Sequence, residues 1–289
     1  MGPPSSGATT VLAILGMLER FDLKRLGKDS PVAWHLIGEA MQLAYADRDL
    51  YLGDSDFVPV PVRGLIDRAY LKRRSALISP QRTLADHAPG TPPGAQPRSP
   101  APAPPEKGTT HFVAVDGNGE TVSMTSTVEG PFGSQLVASG MILNNELTDF
   151  SFAPDRNGAP VANRVEPGKR PLSSMAPTIV YDTTGRVVLA LGSAGGRRII
   201  MHVAKTLIGV LDWGLDAQAA TALPNLYFRD HTLLVEQGTA LEAMAPALTS
   251  LGHTVLPAML ESKVMAIERD ANSWRGGADP RSEGVALAE

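Results

Sequence analysis

The chain has 289 residues, 43% hydrophobic and 19% charged, with 26 basic against 30 acidic side chains and a formal net charge of −4. Those values suit one large globular domain or two modest ones, and without a basic block they argue against nucleic acid as a partner. Zero cysteine excludes disulfides, thiolate metal sites and a cysteine nucleophile, and no apolar run approaches the roughly 18 residues of a membrane span.

The opening Met1 to Gly7 has no basic stretch followed by an apolar core, so no signal peptide is expected and the compartment stays open. From Thr9 to Phe21, the residues Val11, Leu12, Ile14, Leu15, Leu18 and Phe21 fall on one broad stripe at helical spacing. Ser30-Pro31 is an N-cap and first-turn pair for a second helix, on which Trp34, Ile37, Met41, Ala44, Tyr45 and Arg48 share a face. Tyr51 to Asp54 and Phe57 to Pro61 end it, and Asp67 to Leu77 reads as a short basic helix. Between Pro80 and Gly108 nine of twenty-nine residues are proline and no apolar periodicity survives, which predicts a disordered tether.

The pattern then changes to strands and tight turns. Thr110 to Asp116 and Glu120 to Thr127 read as a hairpin closed by Asp116-Gly117-Asn118-Gly119. Strands are predicted at Met141 to Asn145, Thr178 to Tyr181, Val187 to Leu191, Leu233 to Glu236 and Lys263 to Arg269. Helices are predicted at Arg197 to Leu211, Asp216 to Leu223 and Leu241 to Leu251. Helices, tether, strands, helices and strands in that order suit a layered α+β domain with a sheet covered on both faces.

Four constellations carry possible chemistry. The first is Gly108-Thr109, where a tether runs into a strand. Cleavage between them would put a hydroxyl and a free α-amine on Thr109, and that amine, with a reference pKa of about 7.7–8.0, can serve as its base. A threonine pair opening a strand is equally what β-branched propensity alone produces. The second is Gly195-Gly196, between an apolar strand and a helix, whose amides are potential oxyanion donors; an ordinary strand-to-helix turn has the same appearance. The third is Lys169-Arg170-Pro171-Leu172-Ser173-Ser174-Met175-Ala176-Pro177-Thr178, two hydroxyls between prolines and preceded by two cations, a polar loop able to hold a carboxylate or simply to turn. The fourth is Glu129, Glu146 and Asp149, with Asn144 and Asn145 alongside, able to clasp an ammonium or to lie solvated in loops. The six histidines (His35, His87, His111, His202, His231 and His253) show no ligand spacing, so no metal centre is expected.

These features occur together, in this order, in one family. Thr109 through Thr127, Leu143 to Phe150, Arg170 to Met175, Gly192 to Gly196 and Asp279-Pro280-Arg281 resemble the small subunit of the γ-glutamyltransferases. Pro3 to Gly7, Tyr45 to Arg48 and Tyr51 to Asp54 resemble the last third of that family's large subunit. The resemblance covers essentially the whole chain and implies an N-terminal-nucleophile (Ntn) hydrolase αββα sandwich made as a precursor. The sandwich is expected to be incomplete here, because most of the large subunit has no counterpart in the chain. The implied organisation is residues 1–79 as the helical end of the large subunit, 80–108 as the linker ending at the cleavage site, and 109–289 as the small, catalytic subunit.

By the same match Thr109 is the nucleophile, Thr127 orients it, and Gly195 and Gly196 hold the oxyanion. Ser173 and Ser174 bind the substrate α-carboxylate, and Glu129, Glu146 and Asp149 bind its α-ammonium. The implied substrate is a γ-glutamyl compound such as glutathione, with water or an amine as acceptor and no cofactor or metal. A heterodimer of large and small subunits is the implied assembly. Glu129 departs from the family, which usually has asparagine there, and the stretch from Phe150 to Arg170 is short for a lid, which favours water as acceptor. The family's carboxylate-binding arginine also has no counterpart here. A cephalosporin-acylase-like Ntn acylase and an inactive fragment are the competing expectations.

Overall fold

The computed structural model describes residues 1–100, 108–271 and 273–288. Among them the N-terminal part is helical: α1 (Gly7–Leu18), α2 (Leu23–Leu26), α3 (Pro31–Tyr51), α4 (Val62–Leu65) and α5 (Arg68–Ser75). The cap predicted for α3 forms, with Ser30 Oγ accepting from the Ala33 amide at 3.4 Å and Pro31 in the first turn. Its apolar face is fully buried: Trp34, Ile37 and Met41 are each at most 1% exposed and join one core with Ile14 and Met17 of α1.

The strands follow. β1 (Thr109–Val115) and β2 (Thr121–Thr127) form the predicted hairpin, with Thr109 opposite Thr127. Asp116 Oδ1 fixes its turn by accepting from the Asn118 and Glu120 amides at 2.9 and 2.8 Å. Two short ladders come next, β3 (Val137–Ala138) with β4 (Met141–Ile142) and β5 (Asp155–Arg156) with β6 (Ala159–Pro160). Beyond them are β7 (Thr178–Tyr181), β8 (Val187–Gly192), α6 (Ile199–Leu211), α7 (Ala217–Thr221), β9 (Leu226–Arg229) and β10 (Thr232–Glu236). The last elements are α8 (Ala240–Ala243), α9 (Ala245–Ser250), β11 (Thr254–Ala258), β12 (Met265–Asp270) and β13 (Ser273–Ala278).

The central sheet has the order β13-β12-β8-β7 and is antiparallel throughout. One face receives the β1–β2 hairpin, tied to it by the Ser123 hydroxyl donating to the Leu191 carbonyl at 3.0 Å. The His111 ring lies against Gly192, where a Cβ would stand 2.2 Å from the imidazole, so only glycine permits this approach. Leu189 and Leu191 share a core with Ile200, Val203 and Leu207 of α6, and α1 packs against α6 from the N-terminal part. The fold is therefore α+β, with hairpin, sheet and helices in successive layers. A second, three-stranded sheet has the order β11-β10-β9.

Several expectations need correction. Through residues 80–100 the segment expected to be disordered has no helix but is anchored to α3. The Thr83 hydroxyl and Leu84 amide donate to Glu39 at 2.6 and 2.9 Å, and the Gly90 amide donates to Asp47 at 2.7 Å. Buried carboxylates on α3 help to order it, with Leu84 packed against the main core; residues 101–107 of the tether lie outside the described residues. The strand predicted at Met141 to Asn145 is only two residues long, since Asn144 accepts from the Glu146 amide at 3.0 Å and Asn145 turns its amide oxygen to the distant Gly130 amide at 2.8 Å. Leu241 to Leu251 breaks at Met244, just before Pro246. β9, β11 and β13 escape prediction. β11 contains Pro257 but lies at a sheet edge, and in β13 Gly277 touches the Ala217 backbone, with a Cβ there 2.5 Å from the Ala217 carbonyl carbon.

Candidate active site

Thr109 heads the first strand of the hairpin, and its register partner is Thr127. The Thr109 hydroxyl donates to Thr127 Oγ1 at 3.2 Å, and the Thr127 hydroxyl reaches the Gly108 carbonyl at 3.5 Å. Thr127 Oγ1 also accepts from the Glu129 amide at 2.8 Å, which fixes its rotamer. Gly108 has φ +84°, and a Cβ there would lie 2.2 Å from the Glu129 carbonyl oxygen. The peptide before Thr109 is thus pressed onto the backbone after Thr127, and only glycine fits.

A small cleft opens at this point, lined by Thr109, Thr127, Glu129, Glu146, Asp149 and Ser173, with Met175 and Ile199 as apolar walls. Six of the nine catalytic and substrate-binding residues expected from the sequence therefore line one cleft, beside Gly108. Glu129 has φ +70° and is only 8% exposed; Asn145 holds it by donating to its carboxylate while accepting from the Gly130 amide at 2.8 Å. Glu146 and Asp149 come from one turn of 3₁₀-helix, Glu146–Asp149, which puts both side chains on one face. Oε1 of Glu146 is buried without a hydrogen-bond partner. Burial, followed by the negative charge of Glu129, raises the Glu146 carboxyl above the usual range, against a lowering contribution from Asp149.

The other three residues are held in adjoining segments. Ser174 is completely buried, and Arg48 of α3 donates to its hydroxyl at 2.8 Å. Gly195 and Gly196, with φ +128° and +59°, form the turn that leads into α6, three residues before the Ile199 wall. Beneath them His202 Nδ1 lies 3.0 Å from Ser193 Oγ. Burial, then the charge of Lys205, keeps His202 neutral.

The N-terminal part clamps the serine loop. The Ser6 amide and hydroxyl both donate to the Ser173 carbonyl at 2.7 Å, and the Ser5 hydroxyl donates to the Met175 carbonyl at 2.6 Å. Arg48 contacts Ser6 Oγ at 2.9 Å and Asp49 at 2.8 Å, and Asp49 in turn pairs with Arg197 at 2.7 Å. Two arginines and one aspartate therefore connect the serine loop to the glycine turn. Sequence reading placed Arg48 on an apolar face and missed this role; the signal was a charged residue on the buried stripe of a helix. Lys169 and Arg170, read as cations for a carboxylate, are occupied internally. Arg170 forks onto Asp54 at 2.7 and 2.9 Å and holds that carboxyl far below its usual range, while Lys169 donates to the Ala162 carbonyl and to Glu166.

Among the described residues no helix is long and apolar enough to cross a membrane. The family model described as Gamma-glutamyltranspeptidase matches residues 1–289. The Glutathione hydrolase proenzyme of Escherichia coli (strain K12) is 38% identical over 297 residues, covering 98% of this chain and 49% of that protein. The proenzyme of the same name from Bacillus subtilis (strain 168) is 34% identical, covering 99% and 50%. The Acylase ACY 1 proenzyme of Pseudomonas sp. (strain SE83) is 35% identical, covering 88% and 43%. The chain thus spans about half the length of the curated relatives it matches. Among solved structures, a cephalosporin acylase from Bacillus halodurans superposes with a TM-score of 0.83 at 25% identity, covering 99% of this chain and 49% of that one. A γ-glutamyltranspeptidase chain from Pseudomonas nitroreducens superposes with a TM-score of 0.54 at 33% identity, covering 62% of this chain and 99% of that one. These neighbours are Ntn hydrolases, in keeping with the layered α+β fold.

Proposed function

The chain belongs to the γ-glutamyltranspeptidase family, and from that premise we propose that it carries the nucleophile of an autoprocessing γ-glutamyl hydrolase or transferase. The observation that carries this reading is the contact chain from the Thr109 hydroxyl to Thr127 and on to the Gly108 carbonyl, set in the acid-lined cleft. In the first step Thr109 Oγ1 attacks the Gly108 carbonyl carbon, the peptide C–N bond breaks, and the nitrogen takes up the hydroxyl proton. Water hydrolyses the resulting ester, leaving a Gly108 carboxylate and Thr109 with a free amine and a free hydroxyl. A solved γ-glutamyltranspeptidase chain that 62% of this chain covers almost entirely supports a boundary there, because residues 109–289 make up a similar share.

In the second reaction the Thr109 hydroxyl attacks the γ-amide carbon of a γ-glutamyl compound. The α-amine accepts the hydroxyl proton and passes it to the departing amine. The amides of Gly195 and Gly196 stabilise the tetrahedral oxyanion, and Thr127 keeps the nucleophile in line. The substrate ammonium sits among Glu129, Glu146 and Asp149, and its carboxylate against the Ser173-Ser174 loop. The γ-glutamyl ester on Thr109 then passes to water or to an amino-acid amine, and the cleaved pieces work as a heterodimer. The short stretch from Phe150 to Arg170 favours water; strong stimulation of turnover by glycylglycine would count against that preference.

The acylase relatives give the competing substrate class. A glutaryl group keeps the carboxylate but lacks the α-ammonium, so it would leave the three acids of the cleft without a cation to offset them, which favours the γ-glutamyl reading. Comparing turnover of γ-glutamyl- and glutaryl-p-nitroanilide separates the two. Denaturing electrophoresis of the purified protein tests the processing step: fragments ending at Gly108 and starting at Thr109 are expected, and Thr109→Ala should abolish them. An unmodified chain that stays whole through prolonged incubation would overturn the reading for this polypeptide.

A further inference from the structure

We propose that His35, Glu39 and His253 form a binding site for one divalent transition-metal ion of the zinc type, away from the nucleophile. The three come from distant points in the sequence. His35 and Glu39 stand one turn apart on the same face of α3, and His253 precedes β11. One ligand atom from each lies within 4.8 Å of the others, and the residues are 0%, 0% and 5% exposed.

The hydrogen bonding already has the form of a ligand set. His35 Nε2 lies 2.7 Å from the Ser79 carbonyl, which can only accept, so Nε2 carries the proton and Nδ1 presents a lone pair. That lone pair faces His253 Nε2 at 2.7 Å, so the single hydrogen between the rings belongs to His253. A ring N–H donated to a backbone carbonyl, with the other nitrogen free to ligate, is how metal-bound histidines are ordinarily oriented. The Glu39 carboxylate is held in place by the Thr83 hydroxyl and the Leu84 amide, which donate to it at 2.6 and 2.9 Å, with His87 Nε2 3.2 Å from Oε1.

Loading the site exchanges the hydrogen between the rings for the ion. His253 shifts its ring proton from Nε2 to Nδ1, no proton is lost, and the two nitrogens part from 2.7 Å to roughly 3.3 Å, the edge of a tetrahedron with zinc-length bonds. Two imidazoles and one carboxylate suit zinc or cobalt and not calcium or magnesium, which need more oxygen ligands. The ion would also neutralise the buried charge of Glu39. Because His35 and Glu39 precede Gly108 and His253 follows Thr109, it would join the two sides of the cleavage point.

The test uses the full chain stripped with a chelator. Titration with cobalt(II) should give the visible ligand-field absorption of a four-coordinate ion at one equivalent, and zinc should displace it and raise the Tm. His253→Gln, whose amide still donates to His35, should weaken cobalt and zinc binding roughly 100-fold or more. His231→Gln, at an exposed position, should change nothing. A wild-type protein with no cobalt band and no zinc-dependent Tm shift would overturn the site, as would His253→Gln binding zinc like the wild type. The wild-type titration decides even if the variant does not fold.

Discussion

Glu129 stands at a backbone conformation, φ +70°, where asparagine is better tolerated than glutamate, and asparagine is what the family resemblance leads one to expect there. Its carboxylate adds a negative charge beside Glu146, whose carboxyl burial already raises. A carboxyl with a raised folded pKa lowers stability above that pKa and restores it as the pH falls; an ammonium, however, is held only by the ionised form. Binding of a γ-glutamyl substrate should therefore weaken as the pH falls through a range above that of ordinary carboxylates. In Glu129→Asn that acid limb, read from the pH profile of KM for γ-glutamyl-p-nitroanilide, should move to lower pH. An unmoved limb would show that the two carboxyls are not coupled through the cleft. Thr109, Thr127, Glu146, Asp149 and Ser173 could be singled out from sequence because their types and order carry the family pattern. The roles of Ser6 and Arg48 could not, because their partners lie 167 and 126 positions away.

At the scale of elements, the β1–β2 hairpin positions Thr109 only because it lies close on the central sheet. Gly192 makes that approach possible, with the His111 ring where its Cβ would be. His111 itself is kept neutral by burial, which lowers it to about 4, and Nδ1 pairs with the Thr125 hydroxyl at 2.8 Å. Gly192→Ala should force hairpin and sheet apart, at about 3 kcal/mol of stability, the upper end for overpacking a core. It should also slow cleavage at Gly108 by disturbing the Thr109–Thr127 contact. Thermal denaturation and the rate of fragment appearance measure the two effects; an alanine variant as stable and as quickly processed as the parent would refute the account. The hairpin, α3 and α6 were legible because their periodicity and caps are local. β13 was not, because its paired glycines are poor strand formers that only β12 and the α7 contact make extended.

For the whole molecule, several contacts join the segments on either side of the Gly108–Thr109 bond. Ser6 grips the Ser173 carbonyl, Arg48 the Ser174 hydroxyl and Arg170 the buried Asp54, while α1 packs on α6. Fragments 1–108 and 109–289 should therefore co-elute in native size exclusion after appearing as two bands under denaturing conditions. The Asp54 carboxyl is held far below its ordinary range, chiefly by hydrogen bonds from Arg170. Its contribution is complete above the unfolded value and is lost only as the pH falls toward the depressed one, so the pair should stay together at about pH 5 as at pH 7. Separation at either pH would mean that these contacts do not hold the halves.

The sequence alone determined the helical half, the strand-rich half, the hairpin with Thr109 at its head, and the residue types that share the cleft. All of these rest on periodicity, turn chemistry and motif order, which are read along the chain. The tertiary structure decided that residues 80–100 are anchored by buried carboxylates of α3, that Lys169 and Arg170 are occupied by the protein's own acids, and that His35, Glu39 and His253 meet. Each of these depends on partners distant in sequence, and burial changes what a charge or an imidazole can do in ways that neighbouring residues do not record.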